Sequence, residues 1–319
     1  MRDSPKLGRI PLPSALERML PMRGFLYYWK NKARRRTMLT AYLFILPVLI
    51  YSIAFNFGPM FASFYLSFTR YNMLTPPKFI GLANYVRVLT DDPVFWTALK
   101  NTAQYALQVL PLNIAISLSL ALLVNRAVWG IAVFRTIYYL PVVTSIIAVS
   151  MIWLWLYDYN MGLINLVLER FGLGPIDWLG DPRLALHSLV IMRVWKGVGW
   201  NMVIYLAGLQ GIPQILYEAA EIDGASAWKK FTSITWPSLR PVTVYIIIMG
   251  TISTFQTFGE IYAMTGGGPL DSTTTVGFLI YQRAFQYYSM GEASTVAFIL
   301  FGIIFGLSLI NMQFFQGIE

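Results

Sequence analysis

Side chains that could carry catalysis or hold a metal are scarce in this sequence. It has no cysteine and a single histidine, His187, which excludes thiol catalysis, disulfides and a histidine-rich metal site. Carboxylates occur in DDP (91–93) and YDYN (157–160), but nothing pairs them for acid–base work. The glycine-rich stretch TGGGPL (265–270) lacks the Gly-Lys-Ser/Thr that completes a phosphate-binding loop. We therefore predict that the chain is not an enzyme and holds no metal and no cofactor of its own.

Another set of polar side chains lies inside strongly apolar stretches, where polar groups are costly and are functional candidates by default. The set comprises Arg193, Lys196, Gly197, Asn201, Thr251, Thr254, Gln256, Thr257 and Glu260. Thr254 and Thr257 share a helical face with Gly250, whereas Glu260 projects elsewhere. These groups either line a solute pathway or only join helices, and in the second case Glu260 is an internal partner for Lys196.

The stretches that position these residues are typical of a membrane protein. The chain has 319 residues, of which 56% are hydrophobic and only 12% charged, with a mean hydropathy of +0.56. A soluble domain carries about 25% charged residues, and a membrane helix needs about 20 mainly apolar ones. We predict an all-α integral membrane protein with six transmembrane helices. The six stretches are Met38–Phe57 (running on as far as Phe68), Asn101–Val124, Thr136–Leu156, Ala185–Leu209, Val242–Met264 and Ala293–Met312.

The distribution of Lys and Arg predicts the orientation. Fifteen of the 24 lie on one side: ten in residues 1–37, two in the 125–135 loop and three in the 212–241 loop. The other side has nine, so we expect both termini to be cytoplasmic. Residues 1–37 form a basic cytoplasmic segment that meets anionic lipid, and 38–319 form the transmembrane domain. The net charge of +9 thus indicates topology rather than nucleic-acid binding.

The third cytoplasmic-side segment, QILYEAAEIDGASAWKKFTSITWP (214–237), is unusually rich in charge. Its first part, Gln214–Ile222, has a helical pattern that Asp223-Gly224 ends, since Gly tolerates the left-handed conformation found at helix ends. Ser226 is suited to cap a second short helix, Ala227–Ile234. The segment is therefore predicted to be a helix–turn–helix lying across the cytoplasmic surface.

The same segment resembles the EAA loop of the membrane subunits of binding-protein-dependent ABC importers. The resemblance rests on Glu218-Ala219-Ala220, Asp223-Gly224-Ala225, Phe231, Ile234, Pro237 and Pro241. AGLQGIP (207–213), TGGGP (265–269) and FRTIYYLP (134–141) are similar to the carbohydrate branch, which includes the larger membrane subunit of the maltose importer. The resemblance covers roughly residues 38–315, with a family core at about 98–312, and implies the type I transmembrane fold of these importers.

The resemblance also implies roles for individual residues. In the family the loop is a coupling helix that docks into a cytoplasmic ATPase. By this resemblance the ATPase-coupling residues are Glu218, Ala219, Ala220, Asp223, Gly224 and Ala225. Five other positions match those that contact sugar in the maltose importer. They are Lys196, Gly197, Gly250, Thr254 and Thr257.

The partners implied are a second homologous permease subunit, a cytoplasmic ABC ATPase dimer that binds ATP and Mg²⁺, an extracytoplasmic solute-binding protein and membrane lipid. The function implied is a permease subunit in a bacterial inner (plasma) membrane, which forms half of the translocation pathway for a sugar or sugar-like solute. An anionic solute, such as glycerol phosphate or a uronate oligosaccharide, is one alternative. An ion-coupled secondary carrier is another, and a requirement for an ATPase distinguishes it from an importer.

Overall fold

A computed structural model describes residues 32–125 and 130–316. Residues 1–31 of the predicted N-terminal segment (1–37) therefore lie outside the described residues. The described part is helical apart from a two-stranded antiparallel ribbon, β1 (Thr69–Arg70) with β2 (Lys78–Phe79), in which Thr69 is opposite Phe79. The helices are α1 (Lys32–Ser52), α2 (Gly58–Ser67), α3 (Ala83–Thr90), α4 (Pro93–Val124), α5 (Ile131–Val143), α6 (Ile146–Leu156), α7 (Leu163–Arg170), α8 (Ala185–Gln210), α9 (Gln214–Ile222), α10 (Ala227–Lys230), α11 (Trp236–Ser238), α12 (Arg240–Phe255), α13 (Gly259–Met264), α14 (Val276–Tyr281) and α15 (Met290–Gln316). Short π-helices join some of these, at Ile53–Phe57, Phe231–Thr235 and Gln282–Gln286.

The helices confirm the all-α membrane class. Three helical stretches in the described part are long and apolar enough to cross a bilayer: Met38–Ser67, Pro93–Val124 and Met290–Gln313. Two bent pairs raise the number to five if each pair is one span. Helix α8 covers the predicted fourth span over 26 residues but is not among them. The count of six spans stays a prediction.

Two predicted spans are interrupted. The stretch predicted as one helix from Thr136 to Leu156 turns by 100° between α5 and α6. Thr144 and Ser145 break it, because their backbone is extended, with ψ of 141° and 140°. The stretch predicted from Val242 to Met264 also stops at the end of α12 and resumes at α13. At that second break the Thr275 hydroxyl donates to the Thr257 carbonyl at 3.0 Å, so a contact from a distant loop replaces a helical hydrogen bond.

The core around the candidate site is built mainly on α4 and α8. One apolar cluster joins them to α6, α13 and α14 and includes Tyr105, Leu189, Met192 and Phe278, each at most 1% exposed. Another cluster continues along α4 and α8 towards α12 and includes Tyr205. Helices α4 and α8 are thus held together along most of their length, and α12 packs against α4 beside them.

Helix α5 lies close against α8 because of a single glycine. A Cβ on Gly199 would lie 2.0 Å from the carbonyl oxygen of Tyr138 and 2.9 Å from its carbonyl carbon. These are backbone atoms, which cannot swing aside as a side chain can. Small residues permit such close approach between membrane helices. Gly199 therefore sets the distance between α5 and α8.

Substituting Gly199 by alanine is expected to force the two helices apart and to destabilise the protein by about 1–3 kcal/mol, the usual cost of overpacking. Thermal unfolding of the detergent-solubilised protein measures the effect. Gly302→Ala, at a position in α15 where an added Cβ meets nothing within 4 Å, is the matched control. Equal melting temperatures for the two variants would contradict the assigned role of Gly199.

Candidate functional site

A cavity of about 320 Å³ opens between α4, α8 and α12, beside the end of α5. Its size is at the lower end of the range for small-molecule sites, roughly 300–1,000 Å³. Polar and aromatic side chains interrupt an otherwise apolar lining: Asn113, Arg193, Lys196, Trp200, Asn201, Tyr245, Ser253 and Thr254. The cavity therefore offers hydrogen-bonding groups within helices that are otherwise apolar.

Four of the five residues predicted for the solute pathway line this cavity: Lys196, Gly197, Gly250 and Thr254. The fifth, Thr257, is not among the lining residues. It is 4% exposed, and its hydroxyl donates to Glu260 Oε1 at 2.5 Å. The hydroxyl of Thr254 donates to the carbonyl oxygen of Gly250 at 2.9 Å, which leaves its oxygen free to accept. That these residues contact a solute stays a prediction.

Lys196 is held by the broken end of α5. Its Nζ atom donates to the carbonyl oxygens of Pro141 at 2.9 Å, Val142 at 3.4 Å and Thr144 at 2.7 Å. An ammonium group has three donors, so all three are used. The last carbonyls of a helix lack intrahelical partners, and a cation interacts favourably with that end of the helix dipole. Lys196 thus caps α5 from the neighbouring helix.

Arg193, one turn before Lys196 on α8, also lines the cavity. Its Nη2 atom donates to Ser253 Oγ at 2.6 Å, and its Nη1 atom lies 3.6 Å from Glu260 Oε1. Glu260 is 2% exposed and also accepts from Tyr105 Oη at 2.8 Å. The cation that partners Glu260 is therefore Arg193, and the alternative of a Lys196–Glu260 pair is wrong in this structure.

Arg193 and Asn201 line the cavity, and the sequence analysis named both among the polar groups within spans but not among the five pathway residues. The signal for Arg193 was present, because Arg193 and Lys196 are three positions apart and share a helical face. The sequence analysis missed Asn113 and its pairing with Asn201: Asn201 Nδ2 donates to Asn113 Oδ1 at 2.6 Å and joins α4 to α8 across the cavity wall. Asn113 and Asn201 are 88 positions apart, so no local sequence pattern predicts that they form a pair.

The predicted helix–turn–helix is present in the charged segment. Helix α9 spans Gln214–Ile222 as predicted, and Gly224 has a φ of +71°. Ser226 caps the second helix, with its Oγ accepting from Lys229 N at 3.3 Å. The second helix differs from the prediction, since its α-helical part ends at Lys230 and a π-helix follows.

The proposed coupling residues lie at the surface of this segment. Glu218, Ala219, Asp223 and Gly224 are exposed, and Ala220 and Ala225 are half-buried. Large apolar side chains are exposed beside them: Ile215 by 70%, Ile222 by 88% and Trp228 by 73%. The sequence analysis did not single out these apolar residues. Together they give the segment an apolar surface with a carboxylate at Glu218.

An ion pair joins the two helices of the segment. Lys230 Nζ donates to Glu221 Oε1 at 2.8 Å. This hydrogen bond, and the positive charge of Lys230, lower the pKa of the Glu221 carboxyl below its ordinary value of 4.5. Glu221 is solvent-exposed, so the pair is expected to order the segment only weakly.

Comparison with known proteins places these features in context. A family model described as binding-protein-dependent transport system inner membrane component matches residues 113–317. The probable ABC transporter permease protein YesP of Bacillus subtilis is 39% identical over 285 residues, which cover 88% of this chain and 92% of that protein. The trehalose/maltose transport system permease protein MalF of Thermococcus litoralis is 36% identical over 287 residues, covering 89% and 96%.

The fold is similar to that of a solved structure, a bacterial ABC transporter involved in the import of the acidic polysaccharide alginate. The TM-score is 0.79 at 24% sequence identity, over 90% of this chain and 98% of that one. At this identity the similarity speaks to the fold alone.

Replacing Lys196 by methionine is expected to release the three carbonyls at the end of α5 and to destabilise the protein by about 1–3 kcal/mol. Thermal unfolding in detergent measures the loss, with the exposed Lys100→Met of α4 as the control. Adding Glu260→Gln to Lys196→Met should restore nothing, because the cation beside Glu260 is Arg193. Rescue by that second change would show that Lys196 pairs with Glu260.

Acidification is expected to loosen the segment 214–230. The ion pair lowers the pKa of the Glu221 carboxyl below its ordinary value of 4.5. The pair therefore contributes its full order above pH 4.5 and loses it as the carboxylate is protonated at lower pH. The protection factors of the backbone amides, which are exchange rates corrected for the intrinsic effect of pH, should therefore fall at acid pH in the wild type. Glu221→Gln should show the lower protection already at neutral pH, and Glu218→Gln should resemble the wild type. Identical exchange in all three proteins at neutral pH would mean that the ion pair orders nothing.

Proposed function

Because the chain belongs to the family of binding-protein-dependent transport system inner membrane components, we propose that it is a permease subunit of an ATP-driven importer for a sugar or sugar-like solute. In this proposal it forms half of the translocation pathway. The observation that carries the proposal is the cavity between α4, α8 and α12, where polar and aromatic groups meet inside apolar helices.

The lining of the cavity suits a hydroxylated ring. Asn113, Asn201 and Ser253 offer donors and acceptors for hydroxyl groups, and Trp200 and Tyr245 offer aromatic faces. Gly197 and Gly250 keep two positions of the wall free of side chains. The trehalose/maltose permease among the relatives supports a sugar as the solute.

We further propose that ATP and Mg²⁺ are bound by a partner subunit, a dimeric cytoplasmic ABC ATPase. The glycine-rich TGGGPL lacks the lysine and hydroxyl that a phosphate loop needs. The exposed segment 214–237 is the proposed docking element. Its apolar side chains, Ile222 and Trp228 above all, are the type that fills pockets at the centre of an interface, while Glu218 offers a carboxylate to a basic partner residue.

The remaining partners follow from the family. Its description names a binding protein, which would deliver the solute from outside the membrane. A second, homologous permease would complete the pathway. The exposed apolar side chains of the spans would contact either that second permease or membrane lipid. The proposed topology has six spans with both termini in the cytoplasm, in keeping with the positive-inside count.

The test of this proposal combines two changes in the docking element. Gly224→Val should disturb the turn, because a β-branched residue at positive φ costs roughly 1–2 kcal/mol. Glu218→Lys should weaken ATPase docking by reversing a surface charge. Both variants are expected to insert normally, to lose most ATP-dependent uptake and to co-purify less ATPase.

Gly174→Val is the matched control, because Gly174 does not have positive φ and an added Cβ there meets nothing within 4 Å. It should transport as the wild type does. Wild-type uptake by both loop variants, at matched expression, would contradict the coupling role. Uptake that needs no ATPase at all would favour an ion-coupled carrier.

A further inference from the structure

The charges that line the cavity are all positive. Arg193 and Lys196 are on its wall, and no lining residue among those that the structure describes carries a carboxylate. We infer that the cavity takes an acidic sugar, with Arg193 as the residue that binds the acid group. This inference rests on the proposed function, because it assumes that the cavity is the translocation site.

The positive charge of the wall is only partly compensated within the described chain. Glu260 is behind Arg193, 2% exposed and outside the lining, and lies 3.6 Å from the guanidinium. The Lys196 ammonium contacts three backbone carbonyls, which carry partial charge but no full negative charge. Two cations and one carboxylate leave one net positive charge beside the cavity. Charged groups within membrane helices pair with one another or with backbone carbonyls, and a negatively charged solute would balance the net positive charge that these pairs leave.

The donors of the two cations are not equally available. All three Lys196 donors are used by carbonyls, so Lys196 cannot donate to a solute without releasing α5. The Arg193 guanidinium has five N–H donors, and it contacts Ser253 through Nη2 and Glu260 through Nη1, which occupies at most one N–H on each terminal nitrogen. A guanidinium binds a carboxylate or phosphate through two parallel hydrogen bonds. Arg193 is therefore the binding group, and Lys196 adds to the positive potential.

The rest of the wall fits the neutral part of such a solute. Trp200 and Tyr245 are 50% and 47% exposed and line the cavity, where their rings can cover the apolar face of a sugar. Ser253, which accepts from Arg193, also holds the guanidinium in place over the cavity. An acidic sugar could place its acid group at Arg193 and its ring against Trp200 and Tyr245, and would then contact both the charged and the aromatic part of the wall. A neutral sugar would leave the net positive charge beside the cavity unbalanced.

The experiment uses the complete transporter, with its partner subunits and binding protein, in proteoliposomes supplied with ATP. The probes are α-1,4-linked digalacturonate and glycerol 3-phosphate as acidic solutes, and α-1,4-linked galactobiose as the neutral counterpart of the first. Wild-type transporter is expected to take up at least one acidic probe and to prefer it to galactobiose. Uptake of digalacturonate distinguishes a carboxylate solute from a phosphate one.

The variant is Arg193→Gln combined with Glu260→Gln, which removes the guanidinium without leaving a buried carboxylate unpaired. It should reduce uptake of the acidic probe at least tenfold relative to Glu260→Gln alone, at matched expression. Glu260→Gln alone is the matched control and should keep acidic uptake, since Arg193 remains. Arg193→Lys should retain part of it, because the charge remains without the two-pronged geometry.

Several outcomes would overturn the inference while leaving the permease assignment intact. These are uptake of galactobiose alone, unchanged acidic uptake in the double variant, and no uptake of any probe by a chain that still co-purifies with its ATPase. A chain that neither transports any probe nor binds an ATPase would instead contradict the proposed function itself.

Discussion

A broken helix inside an apolar bundle must find partners for the carbonyls at its end, and Lys196 supplies them. Its ammonium reaches three carbonyl oxygens where α5 stops, at distances between 2.7 and 3.4 Å. Without the ammonium, those carbonyls would have to be hydrated from the cavity or left unpaired, at a cost of about 1–3 kcal/mol. The contact satisfies the carbonyls at the 100° turn between α5 and α6, which brings α6 against α13. Val142, at the end of α5, lines the cavity beside that turn.

The close packing of α5 on α8 makes the contact geometrically available. Gly199, about one turn after Lys196, lets the backbone of Tyr138 lie directly on α8. Arg193, one turn before Lys196, extends in another direction to Ser253 and the buried Glu260. A single helix thus carries a close-approach glycine and two cations whose polar partners are on different neighbours. Helix α8 is consequently the element on which the whole site is built.

The same helix leads towards the exposed segment proposed to meet the ATPase. After Gln210 the chain turns and enters α9 within a few residues. Near that end, Tyr205 donates to Thr243 at 3.2 Å and a Cβ on Gly208 would press on Leu239, so α8 and the start of α12 are tightly joined. The exposed segment and the cavity are thus joined by helices that pack tightly against each other.

The sequence alone determined the membrane class, a helix over Ala185–Leu209, the left-handed turn at Gly224 and the cap at Ser226, because each depends on hydropathy or on local backbone preference. Four of the five residues that the family resemblance assigned to the solute pathway lie on one cavity, and their contact with a solute stays a prediction. The tertiary structure alone decided that Lys196 caps α5 and that Arg193, not Lys196, lies beside Glu260. It also decided where the two predicted spans break. These outcomes depend on which helix lies beside which, and a pattern along the chain carries no signal for a hydrogen bond between residues more than 50 positions apart, such as Lys196 and Thr144.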